Sequence, residues 1–439
     1  MDVKSGTVSR PSVLTLPLCF PDQGVPLVHL REPAVNKTAA RSARELDRRK
    51  SKIARRIFAS ALGLVALLAS VGLVASQGPG DAKKPAPARA IDGVLARGVN
   101  LSHWFSHSSN GYGDAHLSSF ITEADAKLMR GAGFTHVRVP VYMEMAFKPE
   151  EAQRAFTAKL VEKAAMLNKA GLAVVVTMDA NEDNKKALAE PDKALEFIEG
   201  WRALARSFAG LEPRLVLFEL LNEPYPLAGP QWWSLQQRTV EAVRSVAPQN
   251  TIIANAGGWS GVEEFTPNFP PLADANTIYT AHVYEPLLFT HQGATWVWPV
   301  AAGVDGVDWP LDSKATDRAA RTGKTEEAVK QLHYQIGDRQ FQADWLLARF
   351  DKLARWQERS GAQIYIGEFG VYRAAAPDVS RLRWHKEVRA AFEAHGWGWA
   401  VWDYAGGFAI TQQSNPPRRT MDPAVLDALG LSANAGARH

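Results

Sequence analysis

The segments HVRVPVY (136–142), AQRAFTAKLVEKAAMLNKAG (152–171) and LAVVVTMDA (172–180) follow one another in the sequence as strand, helix and strand. The first and third are short apolar runs, and the second has the apolar spacing of an amphipathic helix. Two strands joined by a helix form the repeating unit of parallel α/β proteins. This stretch therefore decides the fold class.

The same alternation continues from about residue 94 towards the end of the chain. Six further segments have the pattern of strands: VLARGVNL (94–101), LVLFELLNEP (215–224), TIIANAGGW (251–259), TIYTAHVYEP (277–286), QIYIGEFG (363–370) and GWAVWDY (398–404). Amphipathic helical segments lie between most of them. Eight strands with intervening helices favour a closed (β/α)₈ TIM barrel over a doubly wound sheet. We predict that residues 91–439 form this barrel domain.

Three segments precede the predicted barrel. Residues 1–56 lack periodicity and are predicted to be a disordered basic tail. Residues 57–75 are uncharged and follow a basic stretch, which predicts either a transmembrane helix or a cleaved signal peptide, with the barrel exported in both cases. Residues 76–90 are rich in Pro, Gly, Ala and Lys, as is typical of a flexible linker.

The charge distribution argues against nucleic-acid binding. Residues 1–56 contain 12 of the 50 Lys and Arg residues but only 5 of the 46 Asp and Glu residues, so the remainder has 38 basic against 41 acidic residues. The single cysteine, Cys19, excludes an intramolecular disulfide, and no HExxH pattern or histidine cluster at ligand spacing is present. The sequence therefore offers no cysteine-based or histidine-cluster metal site, and we expect a monomeric protein.

Polar residues at the ends of apolar strands are the candidates for chemistry, because the active site of such a barrel lies at the carboxyl ends of its strands. They are Arg138, near which we expect the second strand to end, Asn222 and Glu223 at the end of the fourth, His282 and Tyr284 at the sixth, Glu368 at the seventh and Trp402 at the eighth. Two carboxylates on different strands of one barrel point into a shared cleft, as a glycosidase requires.

Their neighbours suggest how the two carboxylates differ. Arg138 and Tyr284 can keep Glu368 ionised, and His282 can orient Glu223. Asn222 is placed to bind a sugar 2-hydroxyl, while Trp402 offers a flat apolar face for a sugar ring.

The motifs RGVNLSHW, HVRVP, LLNEP, AHVYEP, IGEFG and VWDY, in this order, resemble those of glycoside hydrolase family 5 over roughly residues 94–405. The resemblance implies a retaining mechanism without metal or organic cofactor. It places the general acid/base on Glu223 and the nucleophile on Glu368, and it puts the five residues named with them at the family's other active-site positions.

One position departs from this resemblance. The family usually has Asp-x-His after the third strand, whereas this chain has Asn181 in place of the histidine. We expect Asn181 to line the site and His103 or His107, after the first strand, to compensate. Trp104, Trp259 and Trp402, with Trp296, Trp298 and Trp309 of the long segment 285–340, are candidates for stacking on further sugar units.

The resemblance to cellulase-like members favours an endo-β-1,4-glucanase acting on a β-glucan. The basic stretch before residues 57–75 favours an enzyme that is exported or anchored in the membrane. A β-mannanase or a glucan transglycosylase on the same scaffold is the alternative within enzymes. A carbohydrate-binding protein without catalysis is the alternative from another class, although both glutamates are present.

Overall fold

The computed structural model describes residues 93–147, 151–227, 229–311, 323–412 and 419–432. Eight parallel strands close into a barrel, in which each strand pairs with the next in sequence and the last pairs with the first. The predicted TIM barrel is confirmed. The strands are β1 (Arg97–Asn100), β2 (His136–Tyr142), β3 (Ala173–Asp179), β4 (Val216–Glu219), β5 (Ile252–Ala254), β6 (Thr277–Val283), β7 (Ile364–Phe369) and β8 (Gly398–Val401).

Helices follow most of the strands and surround the barrel. They are α1 (Asp114–Ser119), α2 (Glu123–Ala132), α3 (Met143–Phe147), α4 (Glu151–Lys169), α5 (Glu182–Ala187), α6 (Pro191–Ser207), α7 (Gly229–Arg244), α8 (Leu287–Thr290), α9 (Pro299–Ala302), α10 (Glu326–Gly337), α11 (Ala343–Ser360), α12 (Asp378–Ala394) and α13 (Pro423–Ala428). Short 3₁₀ turns occur at Pro213–Leu215 and Val262–Glu264. The predicted helical segment 152–171 corresponds to α4.

The segment 285–340 is not one open loop. Within its described part it contains α8, α9 and α10. Trp309 is buried there and donates from Nε1 to Glu387 on α12 at 2.9 Å. The segment therefore packs against the helices around the barrel. Because Trp309 is buried, its indole ring has no face open to a sugar.

Two apolar clusters fill the structure. The larger one lies between the strands and the surrounding helices and includes Val139, Val176, Trp201, Phe350 and Trp399. The smaller one fills the barrel interior towards the amino ends of the strands; its members are Leu95, Ala173, Val175, Leu217, Ile253, Ile278, Tyr365 and Ala400. The barrel interior between this smaller cluster and the carboxyl ends of the strands is polar. Charged groups placed there must be paired, and their pairing builds the site.

No helix in the described residues is long and apolar enough to cross a bilayer. The predicted tail (1–56), hydrophobic segment (57–75) and linker (76–90) all lie outside the described residues.

Candidate active site

Six of the residues singled out in the sequence meet in one cluster inside and above the barrel. They are Arg138 on β2, Asn222 and Glu223 after β4, His282 on β6, Tyr284 just after β6, and Glu368 on β7. The second strand continues to Tyr142, so the expectation that it ends near Arg138 was wrong. Arg138 lies deeper in the barrel, and its long side chain reaches Glu368.

Arg138 is fully buried and is the hub of the cluster. Its Nε and Nη2 atoms donate to the two carboxylate oxygens of Glu219, each at 2.7 Å. Nη1 donates to Glu368 Oε1 at 2.5 Å. Burial would lower the pKa of Arg138, but Glu219 and Glu368 outweigh it and raise the pKa well above its ordinary value. The guanidinium therefore carries its charge at every working pH.

Amides complete the coordination of this guanidinium. Nη1 also donates to Asn100 Oδ1 and Nη2 to Asn222 Oδ1, both at 2.9 Å. All five N–H groups of Arg138 consequently have an acceptor. This fixes the carbonyl ends of the two amides and leaves the amino group of Asn222 turned away from the arginine.

A bulge in β7 directs Glu368 into the site. The register between β7 and its neighbours shifts around Gly367 and Glu368. Tyr365 points into the barrel, so regular alternation would turn Glu368 outward, and the bulge changes that direction. Gly367 is required at this point, because a Cβ there would lie 2.4 Å from Thr280 Oγ1.

Glu368 is held at both oxygens. Oε1 accepts from Arg138, and Oε2 accepts from the hydroxyl of Tyr284 at 2.8 Å. Burial, together with the charges of Glu368 and Glu223, raises the pKa of Tyr284 well above its ordinary value. Tyr284 therefore remains a hydrogen-bond donor to this carboxylate.

Glu223 is held differently. It follows β4 with a φ of 44°, in the left-handed region that residues with a side chain seldom adopt. Its Oε1 lies 2.9 Å from His282 Nδ1, and a fifth of its side chain is exposed. Burial would lower the pKa of His282, but Glu368 and Glu223 raise it above 6.5. A histidine, and not the arginine, is thus the hydrogen-bond partner of this carboxyl.

A carboxylate oxygen from each glutamate and a nitrogen of His282 all lie within 4.8 Å of one another. Three such donor atoms could in principle hold a cation. Both oxygens of Glu368 are already occupied by donors, however, and the guanidinium of Arg138 places positive charge beside them. The arrangement is better suited to two carboxyls acting on a substrate between them.

Trp402 follows β8 and is partly exposed at the mouth of the barrel. His103, after β1, lies nearby, with Nδ1 3.8 Å from Asp403 and 2.6 Å from the Ser102 hydroxyl. Partial burial and the adjacent His107 lower the pKa of His103 to about 4, so its ring is neutral at neutral pH.

The other sequence candidates are placed as follows. Trp259 is exposed and stacks on Tyr225 with ring centroids 4.6 Å apart, two residues beyond Glu223. Asn181 is exposed, and its side-chain oxygen caps α5 by accepting from Asn184 N at 2.8 Å. Trp104 is buried in the core and has no face open to a ligand.

Glu219 and Asp179 also belong to the site, although neither is among the residues predicted from the sequence. Glu219 is the charged residue inside the apolar run LVLFELL, and a charge there needs a buried partner. Asp179 ends β3, is buried, and lies 3.2 Å from His107 Nε2. Both were visible as acidic residues in strands, but which cation each would meet depends on the barrel's register.

A (β/α)₈ barrel that carries a close, unequally held carboxyl pair at the ends of its fourth and seventh strands defines a glycoside hydrolase. Residues 94–407 match the family described as Cellulase (glycosyl hydrolase family 5). The chain belongs to this family.

Individual relatives have low sequence identity to the chain, but the aligned segments cover most of its length. The chain is 26% identical over 317 residues to Endoglucanase C of Acetivibrio thermocellus, covering 70% of this chain and 90% of that protein. It is 25% identical over 345 residues to Endoglucanase 3 of Fibrobacter succinogenes, covering 72% of this chain but only half of that protein.

Solved structures likewise have low sequence identity to the chain and cover most of its length. Thermotoga maritima Cel5A in complex with cellobiose has a TM-score of 0.62 and 26% identity, covering 77% of this chain and 98% of that one. The complex with a mannotriose substrate has the same TM-score and coverage with 25% identity.

Proposed function

We propose that the chain is a retaining endo-β-glucanase that cleaves a β-linked glucan by double displacement. The observation that supports this most directly is the pair Glu223 and Glu368, which approach within 4.8 Å. Retaining glycosidases hold their carboxyls about 5–5.5 Å apart, whereas inverting enzymes need about 6.5–9.5 Å to admit a water between carboxyl and sugar.

Glu368 is the proposed nucleophile. Its ionised oxygen attacks the anomeric carbon, the glycosidic C–O bond breaks, and a covalent glycosyl-enzyme forms. Arg138 and Tyr284 hold the carboxylate from the side away from the cleft and align it for attack. Arg138 is itself fixed by Glu219, so the nucleophile's position is set by buried groups of the barrel interior.

Glu223 is the proposed general acid and base. It gives its proton to the leaving glycosidic oxygen in the first step and removes a proton from the attacking water in the second, when the bond to Glu368 breaks. His282 is within hydrogen-bond distance of Glu223 and orients it. Because it also lies 3.7 Å from Glu368, His282 electrostatically couples the two carboxyls.

The remaining candidates are assigned to sugar binding. Asn222 adjoins Glu223 and presents its amino group to the 2-hydroxyl, and Trp402 supports the ring in the cleavage subsite. The stacked Tyr225 and Trp259 pair lies next to the acid/base, so we place it under the leaving-group sugar. We assign His103 to the edge of the cleft that binds the sugar on the glycone side of the cleaved bond. Asn181 contributes chiefly by capping α5.

The names of the relatives favour β-glucan as the substrate class, since two of those described are endoglucanases and Cel5A was solved with cellobiose. The mannotriose complex of the same Cel5A favours β-mannan as the second candidate. Glucose and mannose units differ in the orientation of the 2-hydroxyl, which is the group assigned to Asn222.

Digestion of a polysaccharide panel by the full chain tests this proposal. Soluble β-1,4-glucan, mixed-linkage β-glucan and β-mannan are incubated with the parent protein and with Glu368→Gln, and products are separated by size. We expect a ladder of oligosaccharides from the glucans with the parent alone. Cleavage of mannan only supports the second candidate, and equal product formation by Glu368→Gln contradicts the proposed mechanism.

We also propose that the barrel works outside the cytoplasm, as a monomer, either anchored by residues 57–75 or released after cleavage there. The support is the basic stretch before this uncharged segment in the sequence. A reporter fused after Ala90 tests the topology. Activity of a reporter that works only in the cytoplasm would contradict export.

A further inference from the structure

The loop between β1 and α1 carries two histidines in an unusual backbone conformation. His103 has a φ of 61° and His107 a φ of 55°. Such left-handed conformations are costly for residues with a Cβ, and they persist where the surroundings fix them. Here the intervening Trp104 and Phe105 are buried in the core and anchor the loop, while both histidine side chains remain nearly half exposed.

Asp179 at the end of β3 fixes the side chain of His107. Its Oδ2 lies 3.2 Å from His107 Nε2 and accepts from the Ser106 hydroxyl at 2.5 Å. Burial would raise the pKa of Asp179, but His107, Lys185 and Ser106 hold it below its ordinary value. Asp179 is therefore an anion, and its carboxylate faces His107 Nε2.

The second nitrogen of His107 is left for a ligand. Among the described residues no hydrogen-bond partner of Nδ1 occurs, and 43% of the side chain is exposed. The ring packs at 87° to the indole of Trp402, with centroids 5.9 Å apart. His107 thus stands beside the face proposed to support the sugar in the cleavage subsite.

Asp179 also links His107 to the amide proposed to bind the 2-hydroxyl. Asn222 Nδ2 donates to Asp179 Oδ1 at 3.5 Å, while His107 holds the other oxygen. His107 therefore lies next to Asn222, on the side that leads towards the loop after β1 and Trp402. In a sugar ring, the hydroxyl next to C2 and away from the anomeric carbon is the one on C3.

We propose that His107, oriented by Asp179, is a specificity-determining residue whose Nδ1 hydrogen-bonds to the 3-hydroxyl of the sugar in the cleavage subsite. This assignment rests on the proposed function. Asn181, at the position where the family usually has a histidine, instead caps α5.

The test pairs a protein change with a substrate change. Full-length parent and His107→Ala are assayed for kcat/KM on 2,4-dinitrophenyl β-cellobioside and on its analogue that lacks the 3-hydroxyl of the aryl-linked glucose. We expect either change alone to lower kcat/KM on the order of 10-fold, and both together to lower it by no more than one of them. His107→Gln, which keeps a side chain able to form a hydrogen bond, should recover part of the loss.

Asp179→Asn should reproduce the behaviour of His107→Ala, because the ring then loses its anchor. His333→Ala on α10 is the matched control: within the described part of the chain, the one hydrogen bond of exposed His333 goes to Val329 O of its own helix, and the variant should show the parent's values on both substrates. Far-UV circular dichroism verifies that each variant is folded.

Two outcomes overturn the assignment. If the losses from His107→Ala and from the deoxy analogue multiply, or if His107→Ala has no effect, His107 does not bind the 3-hydroxyl although the proposed function stands. If the parent cleaves neither aryl cellobioside, the proposed function fails and the assignment fails with it.

Discussion

Arg138→Lys tests whether the guanidinium organises the site. Each of the five N–H groups of Arg138 has an acceptor within 2.9 Å on Glu219, Asn100, Glu368 or Asn222. A lysine ammonium keeps the positive charge but has only three donors on one nitrogen, so at least two acceptors lose their partner.

The magnitude follows from the groups that lose their bonds. Hydrogen bonds to charged groups are each worth about 1.5–3 kcal/mol, and Glu219 is fully buried, so water cannot replace the missing donor. Two lost bonds correspond to a decrease of about 3–6 kcal/mol in the free energy of unfolding. Because Glu368 loses its fixed position as well, kcat should also fall.

Urea unfolding followed by tryptophan fluorescence measures the loss of stability. Arg202→Lys is the matched control, because Arg202 pairs with Glu199 on the exposed face of α6 at 2.7 Å, and its replacement should cost at most about 0.5 kcal/mol. A loss below about 1 kcal/mol for Arg138→Lys would refute the view that Arg138 and Glu219 form the rigid base of the site.

Two further predictions concern the site chemistry and the response to pH. With azide and an activated aryl cellobioside, Glu223→Ala should yield the β-glycosyl azide and Glu368→Ala the α-glycosyl azide; the same anomer from both variants would contradict their assigned roles. Burial lowers the pKa of His136 to about 3. Between pH 6.5 and 3 the unfolded chain therefore binds a proton at this histidine that the folded protein does not bind. The free energy of unfolding consequently decreases as the pH falls through this range. His136→Gln, which can still bond Tyr365, should therefore lose less stability on acidification, by about 1.4 kcal/mol per pH unit in that window; parallel curves for variant and parent in urea unfolding would disprove this.

The fold was predictable because the apolar runs recur with helical segments between them. All eight strands lie within the predicted segments, since buried parallel strands carry a strong local signal. The segment 285–340 was less predictable. Its helices α8 and α9 have four residues each, too few for a visible period, and the burial of Trp309 depends on its contact with Glu387, far away in the sequence.

The candidate site residues were predicted from motifs. The prediction failed for residues whose partners are determined by tertiary contacts. Strand ends identify which residues face the cleft, as they do for Glu223 and His282. They do not reveal that Glu219 would pair with Arg138, because that contact joins two strands that are not neighbours in the barrel. Nor does the sequence show that Asn181 caps a helix while His107 reaches Asp179, since both depend on the path of a loop.

Trapping the covalent intermediate tests the central claim most directly. The full chain is inactivated with 2,4-dinitrophenyl 2-deoxy-2-fluoro-β-cellobioside, digested with a protease, and the labelled peptide is sequenced by mass spectrometry. The fluorine slows both steps, and the good leaving group lets the first proceed, so the glycosyl-enzyme accumulates. We predict one fluorocellobiosyl group per chain, attached to Glu368. Attachment to Glu223, or turnover of unmodified substrate with inversion and no label at all, would contradict the account.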